Sequence, residues 1–174
     1  YASANYYYVN KSSLPKVYGG FNTSLSWKGF DLSAIFAYSI GGYIYNRDIT
    51  MILHNGSLEG RAWSTEILKR WTPENRYTDV PALSTTSNNW NSASTRFLQN
   101  NSYMRLKNLT LSYDLPKQWI SKLALSSVQV FVQGDNLFTI HRNQGLDPEQ
   151  GITGITYYRY PAMRTISGGI NLSF

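Results

Sequence analysis

Residues 18–42 read YGGFNTSLSWKGFDLSAIFAYSIGG, and the reading of this stretch decides the fold. Phe21, Thr23, Leu25 and Trp27 alternate with Asn22, Ser24 and Ser26. Beyond Lys28-Gly29, Phe30, Leu32, Ala34, Phe36, Tyr38 and Ile40 alternate with Asp31, Ser33, Ile35, Ala37 and Ser39. Successive side chains of a strand point to opposite faces, so each run predicts a strand with one apolar face and one mostly small and polar. Two residues, the second a glycine, between two such runs predict a hairpin.

The same pattern recurs downstream. In SYMRLKNLTLSYDL (102–115), Leu109, Leu111 and Tyr113 oppose Thr110 and Ser112, while Met104 and Leu106 fall out of phase. A bulge near Lys107-Asn108 reconciles the two halves. In SSVQVFVQGDN (126–136), Val128, Val130 and Val132 oppose Gln129, Gln133 and Asp135, with Phe131 on the polar side. In RTISGGINLSF (164–174), Ile166, Ile170, Leu172 and Phe174 oppose Thr165, Ser167, Asn171 and Ser173. Each strand has about ten residues, the length a tilted strand needs to cross a bilayer.

The connections alternate in length. Lys28-Gly29 and the segment around Pro116 to Leu125 are short; residues 42–101 and 137–162 are long. In an antiparallel meander alternate connections lie at opposite rims, so one rim carries short turns and the other long loops, the asymmetry of an outer-membrane barrel. A long connection of this kind is usually a functional surface loop. The polar faces are Ser, Thr, Asn and Gln rather than the Lys and Glu of a β-sandwich's solvent face, which suits a lumen wall. Trp27, Phe30 and Tyr113 at strand ends suit an interfacial aromatic girdle. The smallest transmembrane barrels have about eight strands, so this set must pair with further ones.

Composition is permissive. The 174 residues carry 42% hydrophobic and 15% aromatic content and no cysteine, which rules out disulfides and thiolate metal sites. The net charge of +6 is spread without a basic run, so no nucleic-acid partner is expected. No segment reaches the about 20 apolar residues of a membrane-spanning helix, and a chain opening on Tyr1 reads as mature or partial.

Five stretches together resemble the C-terminal end of SusC/RagA-type TonB-dependent outer-membrane transporters: YGGFNTSLSWKGFDLS (18–33), RWTPEN (70–75), RFLQNNSYMRLKNLTLSYDLP (96–116), GLDPE (145–149) and YPAMRTISGGINLSF (160–174). The resemblance implies an all-β, antiparallel up-and-down segment of about five C-terminal strands in a barrel of about 22, with an upstream plug domain. It also implies a SusD-like lipoprotein cap, energy from the TonB complex through an absent N-terminal region, and import of oligosaccharides or peptides. Phe174 is then the barrel-assembly signal. The division expected is loop 1–16, hairpin 17–41, extracellular loop 42–101 with a short helix, hairpin 102–136, extracellular loop 137–162 and last strand 163–174.

On this reading the lipid-facing residues are Leu25, Trp27, Phe30, Leu32, Phe36, Tyr38, Leu109, Leu111, Tyr113, Val128, Val130, Val132, Ile166, Ile170, Leu172 and Phe174. The lumen-facing set is Asn22, Ser24, Ser26, Ser33, Thr110, Ser112, Gln129, Gln133 and Asn171. Tyr43, Tyr45, Trp63, Trp71, Tyr157 and Tyr158 are candidate ligand or partner contacts, because amphipathic rings suit sugar faces, peptides and interfaces alike.

No catalytic, cofactor or metal site is expected. His54 and His141 read as surface loop residues without a ligand pattern. Asp147 and Glu149 lack the dense acidic spacing of a calcium loop and read as turn residues. Trp63, Ile67, Leu68 and Trp71 have helical spacing, with Ser57 or Ser64 as cap and Thr72-Pro73 as stop. The rival architectures are a soluble or surface-attached β-sandwich binding carbohydrate through Tyr and Trp, and a passive porin or enzyme barrel.

Overall fold

The computed structural model describes residues 5–54, 58, 60–84, 86, 92–121, 125–143, 145, 147–149 and 151–174. They form two compact units, each built from separate stretches of chain.

The larger unit comprises residues 15–42, 101–149 and 160–174. Among its described residues, the strands β1 (Pro15–Trp27) and β2 (Phe30–Gly41) make the first hairpin. The smaller unit holds β3 (Tyr43–Asn46) and β4 (Leu98–Asn100). The larger unit then continues with β5 (Tyr103–Asp114) and β6 (Ser127–His141). Strand β7 (Ile155–Thr156) belongs to the smaller unit and β8 (Thr165–Ser173) to the larger. The five-stranded sheet has the order β1-β2-β5-β6-β8, and every neighbouring pair is antiparallel. Its strands therefore follow one another in chain order, an up-and-down meander. Against the expected bounds, the first hairpin begins at Pro15, the second runs to His141, and the last strand is Thr165–Ser173.

The hairpin at Lys28-Gly29 closes through the pair Trp27–Phe30. Both turn residues have positive φ, 48° and 87°, the signature of a turn whose twist matches the flanking strands. A side chain at Gly29 would be strained there, and its Cβ would stand 3.1 Å from the Asp114 carbonyl oxygen. Gly29→Val is expected to lower stability by about 1–2 kcal/mol. Urea unfolding of the full-length protein in detergent checks this, and an unchanged midpoint would count against the turn's role.

Lys107 is the extra residue of a bulge. Ile35 pairs with Asn108 and Phe36 with Leu106 on one side, and the ladder to β6 slips between Leu106 and Asn108 on the other. The slip puts Leu106 and Met104 on the same face as Leu109 and Leu111. Phe131, the aromatic on the polar side, lies over Gly169 of the neighbouring strand, where an added Cβ would come within 2.8 Å of the ring.

The connection after β5 contains a single helical turn, α2 (Lys117–Ile120), with Ile120 buried and Trp119 exposed. In the smaller unit, β3 pairs antiparallel with β4 and parallel with β7, and leads directly into α1 (Arg47–Ile52). Asn46 caps α1, its Oδ1 accepting the Ile49 N–H at 3.0 Å. The core of this unit includes Ile44, Leu53, Ile67, Val80 and Phe97.

Two expectations for residues 42–101 are corrected. The helical spacing of Trp63 to Trp71 yields only a five-residue 3-10 turn, Thr65–Lys69, capped by Ser64, with Ile67 buried and Leu68 exposed. Ser57 lies outside the described residues. The α-helix is Arg47–Ile52, where the Asn cap preceding Asp48 is the start signal. His54 is 1% exposed rather than a surface residue, and its Nδ1 accepts the Trp63 indole N–H at 3.1 Å.

Candidate functional site

The register sorts the sheet into two chemically distinct faces. On one, the laddered pairs are Leu25–Leu32, Leu32–Leu111, Leu111–Val132, Phe30–Tyr113, Tyr113–Val130, Val130–Ile170, Val128–Leu172 and Phe36–Leu106. Tyr38 pairs with Met104, and Ile166 with Gly134, on the same face. Phe21 and Phe36 stack at 4.7 Å between ring centroids, and Phe30 and Tyr113 meet tilted at 4.4 Å. Trp27 at the turn has Lys28 Nζ 5.0 Å from its ring centroid. Many of these side chains are open to the surroundings: Leu25 is 67% exposed, Ile166 71% and Ile170 63%. A β-sandwich would have buried them between its sheets. Phe174, just past β8, is also exposed.

The opposite face brings together Asn22, Ser24 and Ser26 of β1 with Asp31 and Ser33 of β2, Thr110 and Ser112 of β5, Gln129 and Gln133 of β6, and Asn171 of β8. Its side chains bond one another across the strands. Ser26 Oγ donates to Asp31, Asn108 Nδ2 to Asp135 Oδ1 at 2.8 Å, and Gln129 Nε2 to Asp114 Oδ1 at 3.0 Å. Asn171 Nδ2 donates to Gln129 Oε1 at 3.2 Å, and along β6 itself Gln133 Nε2 donates to Asp135 Oδ1 at the same distance.

A loop segment is pinned to this polar face. Arg105 of β5, with its side chain 4% exposed, directs Nη2 to Asp147 Oδ1 at 2.5 Å and Nη1 to Glu149 Oε2 at 2.8 Å, while Nε donates to Thr139 Oγ1 at 2.9 Å. Lys107, brought into place by the bulge, joins Glu149 at 2.6 Å. Asp147 Oδ1 also accepts the Glu149 N–H, and its Oδ2 accepts the Ala162 N–H. Asn101 Nδ2 donates to the Pro148 carbonyl, and Asn143 Nδ2 to Asn101 Oδ1. Burial pushes the Asp147 carboxyl up, but the Ala162 and Glu149 amides and the Arg105 guanidinium outweigh it and hold the group below its ordinary range.

Asp147 accepts the N–H two residues on, the local contact of an Asx turn, and it is also half of a buried ion pair that the spacing of charges along the chain did not announce. A signal was present nonetheless: a lone arginine inside an alternating strand, and an Asp-x-Glu in a loop. His141 ends β6, its ring Nδ1 2.9 Å from the Asn143 carbonyl oxygen. Among the described residues no cluster of His, Asp and Glu is arranged to hold a metal ion.

The candidate aromatic contacts belong to the smaller unit, where Tyr43 and Tyr45 are half-buried and Trp63, Trp71, Tyr157 and Tyr158 are exposed. Lys11 Nζ sits 4.6 Å from the Tyr43 ring centroid, Tyr45 meets Phe97 edge-on at 6.1 Å, and the backbone N–H of Trp71 donates to the Val80 carbonyl. The Tyr157 and Tyr158 rings meet at 4.3 Å between centroids, tilted by 49°, with the Arg47 guanidinium 4.7 Å from the Tyr157 centroid.

An up-and-down sheet with an uncovered apolar face and a hydrogen-bonded polar face defines a piece of transmembrane β-barrel wall. Among the described residues no helix is long and apolar enough to cross a membrane, which leaves crossing by strands open. The chain is 36% identical over 167 residues to TonB-dependent receptor P3 of Formosa agariphila, covering 89% of this chain and 16% of that protein. It is 26% identical over 171 residues to TonB-dependent receptor SusC of Bacteroides thetaiotaomicron, covering 96% and 16%. A solved structure of the RagAB peptide importer in the open-open state superposes with a TM-score of 0.83 at 35% identity, covering 95% of this chain and 18% of that one. No family model matches. The chain is thus a segment of a SusC/RagA-type TonB-dependent receptor, an outer-membrane β-barrel protein. It spans 16% to 17% of the length of the curated relatives it matches.

Proposed function

We propose that this chain supplies C-terminal barrel wall and extracellular loops to an active importer of oligosaccharides or peptides that works with a SusD-like surface lipoprotein and the TonB complex. The two-faced sheet carries the reading. The face of Leu25, Leu32, Leu111, Val130 and Ile170 meets outer-membrane lipid, and the face of Ser24, Ser33, Thr110 and Gln129 meets the lumen and the plug domain. Residues 42–101 and 137–162 then lie outside the cell, where they help to wall the chamber for the cargo, and Phe174 serves barrel assembly. Relatives named as TonB-dependent receptors, and a neighbour described as a peptide importer, support the class.

The test is fractionation of cells expressing the full-length protein, followed by uptake of a fluorescent oligosaccharide and a fluorescent oligopeptide. The expected result is a detergent-requiring outer-membrane species whose deletion abolishes proton-motive-force-dependent uptake of one of the two probes. Recovery of the protein in the soluble fraction, or uptake of both probes unaffected by deletion, would overturn the reading.

A further inference from the structure

The smaller unit contains a cleft of about 570 Å³ lined by Asp48, Met51, Ile52, Arg61, Ala62, Tyr158 and Arg159. That volume is in the range of small-ligand sites. Its chemistry is one-sided. Two guanidiniums line it against one carboxylate, and Asp48 already accepts the Tyr158 N–H on Oδ1 at 3.0 Å. Among the described residues, neither Arg61 nor Arg159 makes an ion pair. Among the described residues the hydrogen-bond partners of Arg61 Nη1 are neutral, the Tyr158 hydroxyl at 3.4 Å and Met51 Sδ at 4.0 Å. Among the described residues most of its donors therefore meet no protein acceptor, whereas the buried guanidinium of Arg105 is held by two carboxylates and the Thr139 hydroxyl.

The backbone at Tyr158 adds a second observation. Its φ of 50° lies in the left-handed region, which costs a non-glycine residue energy and is held here by the Asp48 hydrogen bond. That conformation places the Tyr158 hydroxyl at Arg61, so an aromatic wall and a cationic donor share one cleft with Met51 and Ile52. A second cleft of the smaller unit, of about 420 Å³ and lined by Tyr6, Tyr7 and Tyr45 among others, has no charged side chain in its described lining and offers no such contrast.

We infer that the Arg61–Arg159 cleft binds a carboxylate group of the cargo, with the body of the ligand against Tyr158, Met51 and Ile52. Guanidiniums recognise carboxylates through paired, charge-assisted hydrogen bonds, and a carboxylate would supply the acceptors that the cleft lacks. The inference rests on the importer reading and narrows it to acidic cargo. Two sources share this chemistry: an acidic peptide, and an oligosaccharide with uronic acids.

The experiment uses the full-length receptor, with any copurifying lipoprotein, in detergent. Binding is measured by titration calorimetry for a hexapeptide rich in Asp and Glu against its fully amidated form, and for hexagalacturonate against its methyl ester. In the unaltered protein the acidic member of one pair is expected to bind about tenfold more tightly than its neutral counterpart, and the pair that shows it names the source. In the double variant Arg61→Gln, Arg159→Gln, whose two sites are exposed, that preference should fall below about twofold while the neutral probe binds as before. Equal binding within both pairs, or preference retained in the variant, overturns the proposal. Loss of a copurifying lipoprotein with preference unchanged also overturns it and makes the cleft a partner contact. Uptake by cells separates the two readings: energised uptake without acid preference strikes only the cleft, and acid preference without uptake strikes only the importer.

Discussion

Replacing Arg105 by leucine is expected to undock the Asp147–Glu149 segment from the polar face and to cost about 3–5 kcal/mol, the penalty for leaving a buried charge without its partner. Asp147 bears most of that penalty, because its side chain is 8% exposed, whereas Glu149 at 38% recovers part of its solvation from water and still has Lys107. Arg105→Lys keeps the charge but loses the fork that reaches Asp147, Glu149 and Thr139 at once, so an intermediate loss is expected. Trypsin cleavage after the exposed Arg142, timed in the full-length protein in detergent, reads the undocking directly. A cleavage rate equal to that of the unaltered protein would show that the ion pair does not hold the segment.

The same contact has a defined pH window. The folded Asp147 carboxyl lies below the ordinary value of about 3.9, so its contribution is complete above that value and disappears as pH falls through the lower, folded one. Cleavage after Arg142 should therefore be constant from neutral to mildly acidic conditions. Measured with an acid-active protease in place of trypsin, opening of the segment should begin only below about pH 4.

The second large effect concerns the apolar face. Leu109 sits midway between the aromatic turn end, marked by Phe30 and Tyr113, and the far end of the sheet, paired with Ala34 and Gly134. If that face meets lipid, Leu109→Arg places a charge near the bilayer midplane and should destabilise the barrel by about 2–4 kcal/mol. Its neighbour Thr110 points to the polar face, between Ser33 and Gln133, and Thr110→Arg should cost about 0–1 kcal/mol. Equilibrium unfolding in lipid vesicles compares the two. Equal losses, or a larger loss for Thr110→Arg, would mean that the faces are assigned the wrong way round.

The strands were legible because their information is local. Alternation with period two at Phe21–Trp27, Phe30–Ile40 and Ile166–Leu172 states both that a strand forms and which residues share a face. Even the phase slip at Lys107 could be read as a bulge, since an extra residue in an alternating run must leave the ladder if both halves are to keep their apolar side chains on one face. The loops were harder. Spacing from Trp63 to Trp71 mimicked a helix, but Leu68 stays exposed and among the described residues of this stretch one 3-10 turn forms. His54 looked like a surface residue because nothing near it in the chain signals burial; Trp63 covers it.

The amino-acid sequence by itself determined the meander, its two faces and the rims on which the short and long connections lie, because strand periodicity and turn chemistry act between near neighbours in the chain. Only the tertiary structure decided that Arg105 meets Asp147 and Glu149, and that Arg61, Tyr158 and Arg159 share a cleft. Those contacts join residues separated by 42, 44 and 97 positions, and no pattern along the chain reports which distant charge or ring folding will bring within hydrogen-bonding distance.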